Sequence, residues 1–302
     1  MKSPVLTIAR QELLIARTNR LALLISGIFL GMVSVSGFIS WDSHHTVNSV
    51  FAEALRHGVT SGPNPFASQQ PLDLVSNTVI YIVLIGALSA ILLGVQSAIS
   101  DRKAGVIDLL FSRPLSVTQY VNGKFLGMQY LLVLILLTAG LLSWGSVLFI
   151  RGEMISLGNT AALAVFYLLA WLFLMPFNIL GFVFGAVSRH ETSALLGPIL
   201  LWVALVFVIP QLGTDAHPVS LLNPVPAQAA STGAFFAFNH RILQPLSLTD
   251  RFKNASSKLL GLNNSSQGIA AYDWLSLAMA AAGMMAALLL VKRSRIRGPI
   301  RE

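Results

Sequence analysis

The sequence of 302 residues contains no cysteine, which excludes disulfide bridges, thiolate metal sites and cysteine nucleophiles. It is also poor in charge, because Asp, Glu, Lys and Arg make up 11% of the residues, against about 25% in a soluble domain. Hydrophobic residues make up 55%, and the mean hydropathy is +0.72. This composition predicts an all-α polytopic membrane protein and argues against a soluble enzyme or a nucleic-acid-binding protein.

Six long runs carry no Asp, Glu, Lys, Arg or His at all: 21–40, 74–100, 125–150, 155–188, 192–214 and 274–291. About 20 apolar residues span a bilayer as a helix, so the sequence predicts six transmembrane helices. Ionisable groups inside a membrane are typical of proton relays and ion pathways. Their absence argues against a proton-coupled transporter or a charged pore. It is compatible with an apolar or amphipathic cargo, or with spans that only transmit movement.

Most Lys and Arg residues lie at the two termini and in the loop between the second and third runs. The positive-inside rule makes this side cytoplasmic and predicts that both termini are cytoplasmic. Residues 1–20 are predicted to form an interfacial helix, with Leu6 and Leu13 on one face and Arg10 and Arg17 on another. A plain basic flank to the first span is the alternative interpretation.

Two long loops, 41–73 and 215–273, are predicted on the outer side. The second should contain a short helix that begins near Thr249 and is closed by Gly261. Histidines of these loops are candidates for an external partner or metal contact: His44, His45, His57, His217 and His240. Their spacing matches no known ligand pattern, so ordinary solvated histidines are the favoured interpretation, and no metal site is predicted.

Templates for catalysis fail at required residues. Gly123-Lys124 lacks the glycine of a phosphate-binding loop, since Thr118 occupies that place. His190-Glu191 lacks the second histidine of a zinc-protease motif, since Ala194 occupies its place. The sequence therefore predicts no catalytic residue and no cofactor bound by this chain, and any ATP chemistry would need another subunit.

The polar loop at 99–124 has the pattern of an amphipathic helix. Val106, Leu109 and Leu110 share one face, and Asp101 provides the acidic residue that a helix start favours. The pair Arg113-Pro114 ends this helix, and Ser116 with Gln119 three residues later predicts a capping box at the next one. An apolar face on such a helix either lies on lipid headgroups or docks into a groove of a soluble partner.

The same loop resembles the permease subunit of ABC-2 type transporters. The resemblance rests on Asp101-Arg102, Gly105, Leu109-Leu110, Ser112, Arg113-Pro114 and Gly123-Lys124. A second segment, Leu221-Leu222-Asn223-Pro224, is similar to one in permeases of nitrous-oxide reductase maturation systems. The family often has Glu at the place of Asp101 and Thr at the place of Val106.

The resemblance implies a single transmembrane domain over 1–302 in the bacterial inner membrane. It implies a dimer with a second copy or a paralogue, and one cytosolic ABC ATPase per subunit that binds ATP and Mg²⁺. The helix in 99–124 would be the coupling helix. The residues expected at the ATPase are Asp101, Arg102, Lys103, Gly105, Val106, Asp108, Leu109, Leu110, Arg113 and Pro114.

Three functions fit these observations. The first is the membrane subunit of an ABC exporter, which moves a substrate outward or drives a process at the outer face. The second is a mechanotransmitter that drives a periplasmic partner bound at the outer loops, with no solute crossing. The third is a stand-alone membrane scaffold, which leaves the amphipathic helix at 99–124 unexplained.

Overall fold

A computed structural model describes residues 3–62, 64, 70–103, 112, 115–210, 238, 242, 247–262 and 271–289. Every regular element in these ranges is helical, which confirms the predicted all-α fold. The helices are α1 (Pro4–Thr18), α2 (Arg20–Arg56), α3 (Pro71–Lys103), α4 (Val117–Arg151), α5 (Leu157–Val187), α6 (Glu191–Val208), α7 (Leu248–Leu259) and α8 (Ala271–Leu289).

Five of these helices, α2 to α6, are long and apolar enough to cross a membrane. They correspond to the first five charge-free runs. The sixth run corresponds to α8, whose described apolar part, Trp274–Met285, is shorter than a span. The sixth span therefore stays a prediction, and with it the placement of both termini on one side.

The predicted start of the first outer loop is wrong. α2 has 37 residues and continues to Arg56, so the residues after Ser40 are helical and not loop. No glycine or proline stands between Ser40 and Gly58, so polarity changes there without any residue that would stop a helix. α2 is about 55 Å long at 1.5 Å per residue, well beyond the roughly 30 Å of a hydrocarbon core.

The centre of the bundle is the crossing of α3 and α5. Within their most apolar windows, 61% of α3 and 72% of α5 is buried, against 22% of α2 and 17% of α6. The two helices approach closely through glycine: a Cβ on Gly94 would overlap the Asn178 carbonyl oxygen, and one on Gly181 would overlap the Ile91 carbonyl oxygen. Small residues permit such close packing between membrane helices, so α3 and α5 form the core that the other spans surround.

Neutral polar side chains join three spans inside the bundle. The Asn178 Nδ2 donates to the Ala90 carbonyl oxygen at 3.0 Å, and the Gln129 Nε2 donates to the Asn178 Oδ1 at 3.2 Å. The Trp171 indole donates to the Gln129 Oε1 at 3.1 Å. This chain of hydrogen bonds ties α3, α4 and α5 together. The sequence did not predict these hydrogen bonds, because uncharged amides do not interrupt a charge-free run.

The short helix predicted in the second outer loop is confirmed as α7. Ser247 caps its N-terminus, and Gly261 after its end has a φ of +76°, a conformation that favours glycine. The ring of Phe252 stacks on Phe173 of α5, with 4.6 Å between the ring centroids. α7 therefore packs Phe252 against α5, in the half of the bundle that is predicted to face outward.

Candidate functional site

The segment 99–124 is the strongest candidate site from the sequence, and the structure describes both of its ends. Seven of the predicted contact residues lie outside the described residues: Gly105, Val106, Asp108, Leu109, Leu110, Arg113 and Pro114. Their predicted role at a partner stays a prediction. The described ends are Asp101–Lys103 at the close of α3 and residues 115–124 at the start of α4.

The predicted helix start at Asp101 is wrong. α3 continues through Lys103, so Asp101, Arg102 and Lys103 form its last turn; these three residues are called the terminal triplet. An acidic residue favours a helix start only where no stronger interaction competes. Here direct contacts with neighbouring helices hold the carboxylate of Asp101 at a helix end.

Asp101 is the member of the triplet that contacts α4. Its Oδ2 lies 2.8 Å from the Lys124 Nζ and accepts a hydrogen bond of 2.8 Å from the Tyr120 hydroxyl. All three side chains are buried, and Asp101 is 5% exposed. A buried carboxylate requires such partners, because desolvation of an unpaired charge is costly.

Arg102 contacts the end of α5. Its Nη1 donates to the carbonyl oxygens of Gly185 and Ser188, both at 2.7 Å. The last carbonyl groups of a helix have no partner within the helix and carry a partial negative charge. The guanidinium therefore supplies both the hydrogen bonds and the charge that the end of α5 requires.

Lys103 contacts the start of α6. Its Nζ lies 2.6 Å from the Glu191 Oε2, and Glu191 is the first residue of α6. Both side chains are partly exposed, so the pair adds little stability but connects another helix. The three consecutive residues at the end of α3 thus reach α4, α5 and α6, one helix each.

The start of α4 follows the sequence prediction. The Ser116 side chain accepts from the Gln119 N–H, and the Gln119 side chain accepts from the Ser116 N–H, which confirms the capping box. The buried position of Lys124 was not predicted, because the sequence places this residue at the end of the basic loop 99–124. Its second partner, Glu12 of α1, was missed too, although it is the single acidic residue in 1–20.

The histidines do not come together in the described part of the chain. His44 and His45 lie on α2, and His57 follows the end of α2, exposed and 4.0 Å from Glu53. His217 and His240 lie outside the described residues. No group of three or more metal-binding side chains occurs among the residues that were described.

The contacts of the terminal triplet join α3 to three neighbouring helices. The triplet uses its charged groups on ion pairs and helix ends, and it fixes the end of α3 to three neighbours. A bonded cluster of this kind resists independent movement of its members, because separation would leave buried charges without partners.

Comparisons with known proteins identify the family of the chain. No match was found among curated proteins. The family model for the ABC-2 family transporter protein matches residues 6–293, which is nearly the whole chain. The chain therefore belongs to the ABC-2 transporter family, and it is a non-catalytic, multi-pass membrane permease subunit of an ABC system.

Proposed function

We propose that this permease couples ATP hydrolysis by a separate cytosolic ATPase to export, or to a process at the outer face of the inner membrane. The ATPase would dock on the segment 99–124, with Val106, Leu109 and Leu110 as apolar contacts. Lys103, Asp108 and Arg113 would supply charges at the rim that fix its orientation. ATP and Mg²⁺ would be bound by that partner.

The terminal triplet is the observation that carries this proposal. Asp101 and Arg102 bind within the bundle, so their part in coupling would be to hold helices rather than to contact the ATPase. When two ATPase subunits close on ATP, the docked segment would be displaced with them. Its displacement would reach α4, α5 and α6 directly through the triplet.

The proposal implies a dimer of two transmembrane subunits, either two copies of this chain or this chain with a paralogue. Mass spectrometry of the protein extracted gently from its native membrane tests for the second transmembrane subunit and for the ATPase. We expect a P-loop ATPase in equal stoichiometry with the transmembrane subunits. Recovery of the permease without any ATPase would contradict the proposal.

A second experiment tests the docking face. Leu109→Asp and Leu110→Asp place a charge in the predicted apolar contact, and Ser112→Asp places the same charge at an exposed position of the same segment. We expect the two leucine variants to insert normally but to lose stimulation of the ATPase, and Ser112→Asp to retain it. Wild-type stimulation by the leucine variants would refute the docking role.

The alternative function is a mechanotransmitter that drives a periplasmic protein without moving a solute. The helical residues of α2 beyond Ser40 favour it, because they extend the helix about 24 Å further at 1.5 Å per residue. Val50 and Leu55 of this extension are exposed, as an interface would require. The similarity of Leu221–Pro224 to nitrous-oxide reductase maturation permeases suggests metalloenzyme assembly. A co-purified periplasmic protein would support this alternative over export.

A further inference from the structure

α1 occupies a groove on α4 that two glycines create. Gly123 and Gly127 stand four residues apart and therefore share one face of α4. A Cβ on Gly123 would lie 2.7 Å from the Ile8 Cβ, and one on Gly127 would lie 2.6 Å from the Glu12 Cβ. Both contacts are closer than carbon atoms allow, so the groove admits α1 only because neither position has a side chain.

A buried ion pair holds α1 in this groove. The Lys124 Nζ lies 2.5 Å from the Glu12 Oε2 on α1, 2.8 Å from the Asp101 Oδ2 on α3 and 3.2 Å from the Ser97 carbonyl oxygen, also on α3. Lys124 is 2% exposed and Glu12 is 6% exposed. One ammonium group on α4 is therefore shared by carboxylates of two other helices.

Such burial distinguishes α1 from a helix that only rests on a membrane surface. A surface helix keeps its charged side chains in water and buries its apolar face in lipid. Arg10 and Arg17 are exposed as that arrangement requires, whereas Glu12 is enclosed against the protein. Withdrawal of α1 would leave Lys124 with one carboxylate in place of two, at the cost of a broken buried pair.

We infer that Glu12 and the Gly123/Gly127 groove make α1 a positioning element for coupling to the ATPase. The ion pairs of Lys124 with Glu12 and Asp101, called the lock, hold α1, α3 and α4 together as one body. The lock overlaps the segment 99–124, since Asp101 and Lys124 belong to both. This role rests on the proposed function, because it requires an ATPase that moves the segment. Force applied to α1 or to the segment would then reach the same spans.

The position of α1 can be tested on the chain alone. The protein has no native cysteine, so Ile8→Cys places a single thiol in the groove. In that background Glu12→Gln removes the buried charge, and Arg10→Gln removes an exposed charge from the same helix. We expect Glu12→Gln to accelerate thiol labelling on the order of 100-fold and Arg10→Gln to leave it unchanged. Equal labelling of both variants would overturn the lock.

Charge exchange separates a shared ammonium from a simple pair. Glu12→Lys with Lys124→Glu restores the α1–α4 pair but places the new carboxylate beside Asp101. We expect the thiol of Ile8→Cys to be labelled more slowly in this double variant than in Glu12→Gln, but still faster than with the native residues at both positions. Addition of Asp101→Asn should slow the labelling further. Full recovery by the double variant alone would show that Asp101 does not share the ammonium. If neither the double variant nor the triple variant recovers slow labelling, the effect of Glu12→Gln comes from a structural defect unrelated to charge. That result would also contradict the lock.

The coupling role needs the complex with the ATPase. We expect Glu12→Gln to recover as much ATPase as Arg10→Gln does, but to lose at least tenfold in its stimulation of ATP hydrolysis. Normal stimulation by Glu12→Gln would contradict the coupling role of α1 and leave the proposed function intact. Failure of the wild-type chain to recover any ATPase would contradict the proposed function itself, and the labelling result would still decide the position of α1.

Discussion

Arg102 is 9% exposed, although it lies at the end of a helix where a cation could reach solvent. Its guanidinium binds two carbonyl oxygens at the end of α5 through one nitrogen. Hydrogen bonds to charged groups contribute about 1.5–3 kcal/mol each. Lys103, its neighbour in the chain, forms a partly exposed ion pair for which less than about 1 kcal/mol is typical.

The two neighbours allow a matched test at the scale of single residues. Arg102→Met keeps most of the apolar stem but leaves the carbonyls of Gly185 and Ser188 without this donor. We expect it to lower the free energy of unfolding by about 2–4 kcal/mol, and Lys103→Met to lower it by less than about 1 kcal/mol. Thermal unfolding in detergent measures the loss of stability in each variant. Equal losses would contradict the inference that the buried contacts of Arg102 stabilise the fold more than the partly exposed pair of Lys103.

Among the elements, the crossing of α3 and α5 depends on backbone contact. Gly181 of α5 faces the Ile91 carbonyl oxygen of α3, whereas a Cβ on Gly31 of α2 would meet no atom within 4 Å beyond its chain neighbours and the backbone of its own helix. The two glycines have the same helical environment and differ in what lies beside them. Alanine is the better helix former by about 1 kcal/mol, so intrinsic propensity favours both substitutions to alanine.

Packing should override propensity at one of these positions. We expect Gly31→Ala to be neutral or slightly stabilising, and Gly181→Ala to cost about 1–3 kcal/mol because the helices must separate. The yield of monodisperse protein and its melting temperature report both effects. Gain of stability in Gly181→Ala would show that α3 and α5 are not in backbone contact at this position.

Phe252 is the largest fully buried side chain of α7. Phe252 is fully buried and lies between the rings of Phe166 and Phe173. Phe252→Ala should cost about 3–5 kcal/mol and expose the otherwise buried thiol of Ser256→Cys to labelling. Asn254→Ala, an exposed position on the same helix, is the control. Unchanged labelling in Phe252→Ala would mean that other contacts suffice to hold α7.

For the whole molecule, the orientation in the membrane is the property with the broadest consequences. The absence of native cysteine allows single thiols to be placed at exposed positions on the two predicted sides. Val59 follows α2 and Met154 follows α4, with exposures of 79% and 90%, and both are predicted to face outward. His190 lies exposed between α5 and α6, on the predicted cytoplasmic side.

An impermeant maleimide applied to intact cells tests this orientation. We expect Val59→Cys and Met154→Cys to react at once, and His190→Cys to react only after permeabilisation. The physical reason is the concentration of Lys and Arg on the side of His190. The reverse labelling pattern would place the segment 99–124 outside the cell and exclude a cytosolic ATPase as its partner.

Much of the fold was predicted from the sequence because membrane spans are determined by local composition. A run of about 20 apolar residues spans a bilayer as a helix, because a helix pairs its backbone groups within the segment. The capping box at Ser116 and the turn at Gly261 were predicted for the same reason, as each depends on a few adjacent residues. The predicted end of α2 was wrong, because the helix continues through the change from apolar to polar residues at Ser40.

The sequence by itself determined the membrane class, five of the spans and the place of the polar segment between α3 and α4. Tertiary structure alone decided that Glu12, Asp101 and Lys124 meet, because they lie on three helices far apart in the chain. It also decided that the terminal triplet reaches α4, α5 and α6. Local patterns follow from the residues in one turn of helix, whereas burial of a charge depends on which helices pack around it.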